Sequence, residues 1–295
     1  MKKLINLAVV LAFLAMPMAA LAEKKIVVGS KAFTEQIILG EMTSTYLEHH
    51  GFDVEYKGGM GSALLRKALE NSQVNTYWSY TGTILSIAHK KNAAGMSAEE
   101  AHALVKELDA PKGIVWLNAS HANNTYCLTI SKAASDKYGI KTLSDLAAAI
   151  NDGADLTFAV NAEFYSRKDG WGPMQKHYGF TFPREKVKRM DFGLVFDAVK
   201  NGDADFNIGY ATDGRIKRYN LVLMEDDKQY FPNYQIVPVV SKPILEKYPE
   251  LEGLLNALAD KLTDPVLQDL NAKVDIEKVD VKKVVNDFLK ANGLI

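Results

Sequence analysis

Five short stretches of this chain set aromatic rings beside hydroxyl, amide and charged side chains. They are Tyr77-Trp78-Ser79-Tyr80-Thr81-Gly82-Thr83, Asn123-Asn124-Thr125-Tyr126, Glu163-Phe164-Tyr165-Ser166-Arg167, Tyr210-Ala211-Thr212-Asp213-Gly214-Arg215 and Tyr230-Phe231-Pro232-Asn233-Tyr234. Such mixtures do recognition chemistry: rings cover a small molecule while a few polar atoms orient it. A lone tyrosine reads as ordinary core. Five clusters at strand ends or strand-to-helix turns fall where open α/β sheets bind their ligands.

Catalytic motifs are absent by the same reading. Gly59-Met60-Gly61-Ser62 lacks the third glycine of a dinucleotide loop, Gly29-Ser30-Lys31 lacks the upstream glycine of a phosphate loop, and no G-x-S-x-G elbow occurs. The histidines (His49, His50, His89, His102, His121, His177) show no metal-ligand spacing and each reads as a solvated side chain. The single cysteine, Cys127, excludes an intramolecular disulfide and a Cys-based zinc cluster, and inside an apolar strand it reads as a small buried hydrophobe. No metal, cofactor or enzymatic turnover is expected.

The elements that position these clusters alternate strand and helix. A strand over Ile26 to Gly29 leads into a helical spacing at Ile37, Ile38, Met42 and Tyr46, which Gly51 stops. Asp53 to Lys57 reads as strand, Ser62 to Leu69 as helix, Thr76 to Ser79 as strand, Ile84 to His89 and Ser97 to Leu108 as helices, and Ile114 to Leu117 as strand. An extended segment from Thr125 to Ile130 opens a second set: a helix over Leu143 to Ile150, a strand over Leu156 to Val160, a helix over Gly193 to Lys200 and a strand over Phe206 to Gly209. The pattern breaks after Leu221 to Met224, resumes at Ile236 to Val240, and ends in a helical tail from Pro243 to Asn292. No internal repeat stands out. Repeated βαβ units predict two α/β lobes.

Composition agrees with a globular chain. Of 295 residues, 24% are charged and 47% hydrophobic, with a net charge of -1, which disfavours disorder, a polytopic membrane protein and nucleic-acid binding through a basic surface. Met1-Lys2-Lys3, an apolar run from Leu4 to Met16 and Ala20-Leu21-Ala22 read as a secretory signal peptide cleaved after Ala22. Cleavage removes Lys2 and Lys3, so the net charge becomes -3. The mature protein is expected in the periplasm. Its domains are expected at 23–128 (first lobe), 129–225 (second lobe) and 226–295 (return to the first lobe).

Several motifs in order carry a resemblance. Gly29-Ser30-Lys31-Ala32-Phe33-Thr34-Glu35-Gln36 through Met42, Tyr80-Thr81-Gly82-Thr83, Asn123 to Tyr126, Tyr210 to Arg215, and Glu225-Asp226-Asp227-Lys228 through Phe231-Pro232 resemble the substrate-binding proteins of ABC importers for glycine betaine, choline, carnitine and related quaternary amines. The likeness spans nearly the whole mature chain. It implies a type II periplasmic-binding-protein fold, two lobes hinged about one cleft, a membrane permease as partner, no nucleic acid, a monomer, and no catalysis.

The resemblance also assigns residues. Tyr80, Tyr126, Tyr210 and Tyr234 match an aromatic cage, with Tyr230 the alternative at the last position, while Lys31, Thr83 and Arg167 match the anchors of a carboxylate. Asn124 would hold the neighbouring turn or touch the cation. A trimethylammonium group has no N–H to donate, so ring faces suit it, at about 0.5 to 2 kcal/mol each when desolvated. Ser79 stands where relatives commonly carry an acid, and Tyr77, Trp78, Tyr165 and Trp171 add aromatic bulk. These departures bear on the ligand's identity more than on the fold, and leave open a zwitterion larger than glycine betaine, such as carnitine, another betaine or a modified amino acid. Two other readings stay open: the same receptor binding an amino acid or organic anion through Lys31, Arg167 and Arg215, and a secreted hydrolase.

Overall fold

The computed structural model describes residues 24–166 and 170–295. The expected signal peptide and the cleavage point expected after Ala22 therefore lie outside the described residues, as does Arg167.

The first sheet is built on β1 (Lys24–Lys31), whose Ile26 and Val28 are buried between the parallel neighbours β2 (Phe52–Met60) and β3 (Thr76–Tyr80). The helix Thr34–His49 follows β1 and ends where Gly51 takes a left-handed φ of +82°. β4 (Ile114–Trp116) then supplies the far edge. The second sheet holds β5 (Tyr126–Ser131), β6 (Phe158–Val160), β7 (Val187–Arg189), β8 (Phe206–Tyr210) and β9 (Leu221–Leu223), and β10 (Ile236–Ser241) returns to the first. Strand order is β2-β1-β3-β10-β4 in one sheet and β7-β6-β8-β5-β9 in the other.

These orders are the same arrangement twice, with the antiparallel strand supplied from the return segment in the first sheet and from the outgoing segment in the second. The equivalence reaches single residues. Asn75 exchanges bonds with Val27 (Val27 N to Oδ1 2.7 Å, Asn75 N to Val27 O 2.8 Å), and Asp205, 130 positions later, does the same with Thr157 (2.7 and 2.8 Å). Tyr80 and Tyr210, also 130 apart, close β3 and β8 opposite Ile236 and Tyr126. The chain thus contains an internal repeat where the sequence alone showed none, because backbone register and a short polar staple are what persist.

Two crossings join the sheets side by side: Asn123 bridges Gln235 antiparallel, and Tyr234 N donates to Asn123 Oδ1 at 2.8 Å. The second sheet begins at Tyr126, inside the segment expected to belong to the first lobe up to 128, and Tyr230 and Phe231 pack on the second core although the return was expected from 226. Pairing with β8 and ring packing decide both points, and neither is visible in hydrophobic periodicity. The C-terminal helices cover the first sheet, but Asp264–Asp275 also touches the second through Gln268 Nε2, which donates to the Ala211 carbonyl at 2.7 Å.

Two local expectations change with packing. His89 is nearly buried and lies 2.7 Å from Asp109, a fully buried carboxylate that also accepts from Arg66 and from Trp116 Nε1 (2.7 Å), so it is not a solvated histidine. Tyr77, Trp78 and Trp171 are core side chains instead of cleft walls: Trp78 donates to Thr43 at 2.8 Å, and the Trp171 ring lies tilted by 33° with its centre 4.2 Å from that of Phe158. Cys127 is buried, as its apolar strand predicts, and burial pushes its thiol well above the usual range.

Candidate ligand-binding cleft

A cleft of about 530 Å³ opens between the sheets. Lys31, Tyr80, Thr83, Asn124, Tyr126, Tyr210 and Tyr234 all line it, each from the end of a strand, a crossing segment or the first turn of a helix. Phe33, Glu35, Phe192, Arg215 and Asn271 line it too. Tyr230 does not: its hydroxyl donates to the Gly170 carbonyl at 3.1 Å on the second lobe, which leaves Tyr234 as the ring at the cleft.

The first-lobe wall is built around a buried acid. Glu35 enters in the first turn of the helix Thr34–His49 and is 3% exposed. Its Oε1 accepts from the Tyr80 hydroxyl at 2.7 Å and from Asn124 Nδ2 at 2.8 Å, while Asn271 Nδ2 lies 3.5 Å from Oε2. Burial raises its carboxyl above the ordinary value, and these donors together with Thr212 pull it back. Tyr80 also accepts from Gln36 Nε2 at 3.0 Å, and burial beside Glu35 holds its phenol well above 10, so it is a neutral ring at any physiological pH. Ser79, the expected missing acid, is fully buried on the adjacent, opposite-facing position of β3, and the carboxylate next to Tyr80 comes from Glu35 instead.

Lys31 ends β1, buried, with its Nζ 4.3 Å from the centre of the Tyr80 ring. Burial lowers its pKa from 10.5 to about 7, with the charge of Glu35 acting the other way. It forms no salt bridge among the described residues. Phe33 stacks on Tyr80 at 6.2 Å.

The second-lobe wall is aromatic. Tyr126 and Tyr210 face one another across β5 and β8 with ring centres 5.0 Å apart, and Phe192 lies 4.8 Å from Tyr210. Phe192 sits on a single 3₁₀ turn, Phe192–Leu194, held by Arg215 Nη1 donating to the Gly193 carbonyl at 2.7 Å. Arg215 is itself gripped by Asp213 through Nε (2.9 Å) and Nη2 (2.7 Å). Its guanidinium is committed to the protein.

The family described as the substrate-binding domain of ABC-type glycine betaine transport systems, OpuAC, matches residues 24–291. The chain belongs to that family. A glycine-betaine-binding protein of Pseudomonas aeruginosa is 39% identical over 274 residues, 91% of this chain and 88% of the relative. An ergothioneine transport permease/ergothioneine binding protein of Helicobacter pylori is 34% identical over 94% of this chain and 49% of its own length. Among solved structures, a glycine betaine/carnitine/choline ABC transporter protein superposes with a TM-score of 0.85 at 30% identity, covering 91% of this chain and 99% of that one. The type II periplasmic-binding-protein fold expected from the sequence is the fold observed.

Reading the sequence alone left out Glu35, Phe192 and Asn271. Glu35 stood inside a matched motif, but an acid in a helix's first turn reads as a partner of the helix dipole. Phe192 lay in a turn with no periodicity. Asn271 comes from a helix that looked like lobe covering.

Proposed function

We propose that this binding protein captures a zwitterionic quaternary amine between its lobes, without chemical turnover, and delivers it to an ABC permease. The observation that carries the reading is one cleft joining aromatic rings of the second sheet and the crossings (Tyr126, Tyr210, Phe192, Tyr234) to a buried ammonium on the first (Lys31) that forms no salt bridge among the described residues. These rings, together with Tyr80 of the first sheet, receive the methylated nitrogen. Lys31, Thr83 and Arg167 anchor the carboxylate, and Asn124, tied to Glu35, holds the turn before Tyr126. Relatives named for glycine betaine, carnitine and ergothioneine support this class of solute. The cleft has room for a zwitterion larger than glycine betaine, in keeping with its size of about 530 Å³.

The competing reading as a receptor for an organic anion loses one of its contacts, since Arg215 is held by Asp213 and Gly193. We place the mature protein in the periplasm as a monomer; among the described residues no helix is long and apolar enough to cross a membrane. A thermal-shift screen tests the assignment, because a ligand that binds only the native state raises the melting temperature by mass action. Glycine betaine, carnitine or ergothioneine should raise it, and amino acids lacking a methylated nitrogen should not. A screen in which only those unmethylated amino acids stabilise the protein would remove the reading.

A further inference from the structure

We propose that the cleft's cation site carries its own counter-ion until a ligand binds: the Lys31 ammonium sits on the face of Tyr80 and must leave it when a ligand's quaternary nitrogen arrives, and Glu35, through the Tyr80 hydroxyl, supplies the charge that either cation answers. This rests on the binding function proposed above and specifies how the site chooses its ligand.

Three features of the site carry it. Lys31 Nζ is 4.3 Å from the Tyr80 ring centre, the geometry of a cation–π contact, and among the described residues it has neither salt bridge nor hydrogen bond to hold it elsewhere. The opposite end of the same phenol donates to Glu35 at 2.7 Å. Donation to a carboxylate polarises the ring and makes its face more attractive to a cation. The cleft's other carboxylates are engaged: Asp213 is bound by Arg215, and Asp275 accepts from Thr34 at 2.6 Å. Glu35 is thus the acid whose charge reaches the ring, and its donors (Tyr80, Asn124, Asn271) are all neutral.

Two cations on one ring repel each other, so ligand entry and Lys31 departure are coupled. A zwitterion resolves both halves of the exchange: its nitrogen takes the ring, and its carboxylate receives the displaced ammonium. Choline brings only the nitrogen and leaves Lys31 buried without an anion. Selectivity for carboxylated amines then follows from the protein's own lysine as well as from contacts to the ligand.

Calorimetry tests this at about pH 6, below the Lys31 value of about 7, so that the ammonium is charged. The probes are glycine betaine, choline and 3,3-dimethylbutanoate, the uncharged-carbon analogue of glycine betaine. The parent should bind glycine betaine at least tenfold tighter than choline. Lys31→Met should tighten choline at least tenfold, and Glu35→Gln should cut the preference for glycine betaine over 3,3-dimethylbutanoate at least tenfold. A crystal structure with glycine betaine gives a readout free of variants: Lys31 Nζ should leave the Tyr80 ring for the ligand carboxylate. Choline binding unchanged in Lys31→Met, an unaltered preference in a folded Glu35→Gln, or Nζ still on the ring beside bound ligand would each overturn the exchange while leaving the transport role standing. A parent that binds none of the quaternary amines would overturn both.

Discussion

Arg215 donates to the Gly193 carbonyl at 2.7 Å and so ties the turn carrying Phe192 to the end of β8, where Tyr210 closes the strand. The guanidinium also lies 4.5 Å over the Phe196 ring. Arg215 is therefore a positioning residue for two rings of the cleft wall. Arg215→Ala should weaken glycine betaine binding about tenfold or more and lower stability by roughly 1 to 3 kcal/mol, because Asp213 is left partly buried without its partner. Arg215→Lys keeps the charge but lacks the planar fork that reaches Asp213 and Gly193 together, so it should restore little. Calorimetry that finds the lysine variant binding like the parent would show the charge, and not the geometry, to matter.

Gly82 explains why the turn after β3 reads Tyr80-Thr81-Gly82-Thr83. A Cβ there would stand 2.7 Å from the Asn233 carbonyl and 3.0 Å from Tyr234 Cε1. The carbonyl belongs to a crossing segment and cannot yield without moving the ring. Gly82→Ala should displace Tyr234 from the cleft, costing roughly 1 to 3 kcal/mol of stability from overpacking and a larger relative loss of binding. Paired thermal melts and ligand titrations separate the two effects. Equal affinity in parent and variant would mean that Tyr234 contributes nothing to the ligand.

The contrast between Gly82 and Glu35 shows what could be read without coordinates. The aromatic clusters at strand ends could be read locally, but it was the family resemblance that singled out Tyr80, Tyr126, Tyr210 and Tyr234 within them, while β1 to β3 with their helices announced themselves by periodicity. Glu35 was not recognisable in its role, since its partners Asn124 and Asn271 lie far along the chain and only the closing of the fold brings them together. The repeat was hidden for a related reason. Arg66 in the first lobe corresponds at the 130-residue interval to Phe196 in the second, so the same place is filled once by an ion-pair network and once by a ring. Packing is conserved there and chemistry is not.

Lys31 gives a pH signature. Its pKa is lowered from 10.5 to about 7 in the folded protein, so between those values the unfolded chain holds a proton that the folded one lacks. Stability conferred at this site therefore rises with pH through that window, by up to about 1.4 kcal/mol per unit, and the cost of the buried ammonium is felt in full below about 7. Lys31→Met should be more stable than the parent at about pH 6, with the gap closing toward pH 10. Urea unfolding at several pH values measures it. A gap that stays constant would place the Lys31 ammonium in contact with water or an anion.

Asp109 offers the opposite case, a charge needed by the fold and remote from the cleft. It is fully buried at the end of the helix Ala98–Asp109 and accepts from Arg66 Nη2 at 2.8 Å, Trp116 Nε1 at 2.7 Å and His89 Nε2 at 2.7 Å. Burial works against its ionised form, but Arg66 and Trp116 outweigh that and hold the carboxyl below its ordinary value. Its contribution is present above the ordinary carboxylate range and is lost as pH falls through the folded value. Asp109→Ala leaves the Arg66 guanidinium, 5% exposed, with Glu70 Oε1 (2.7 Å from Nε) in place of the two-acid pairing and strips Trp116 Nε1 of its acceptor, and should cost about 3 kcal/mol, the low end for breaking a buried pair. Because none of Asp109, Arg66, His89 or Trp116 lines the cleft, the folded fraction should bind glycine betaine with unchanged affinity. Chemical denaturation and calorimetry on the same preparation give both numbers. A variant with parental stability and impaired binding would reverse the roles of this network and the cleft.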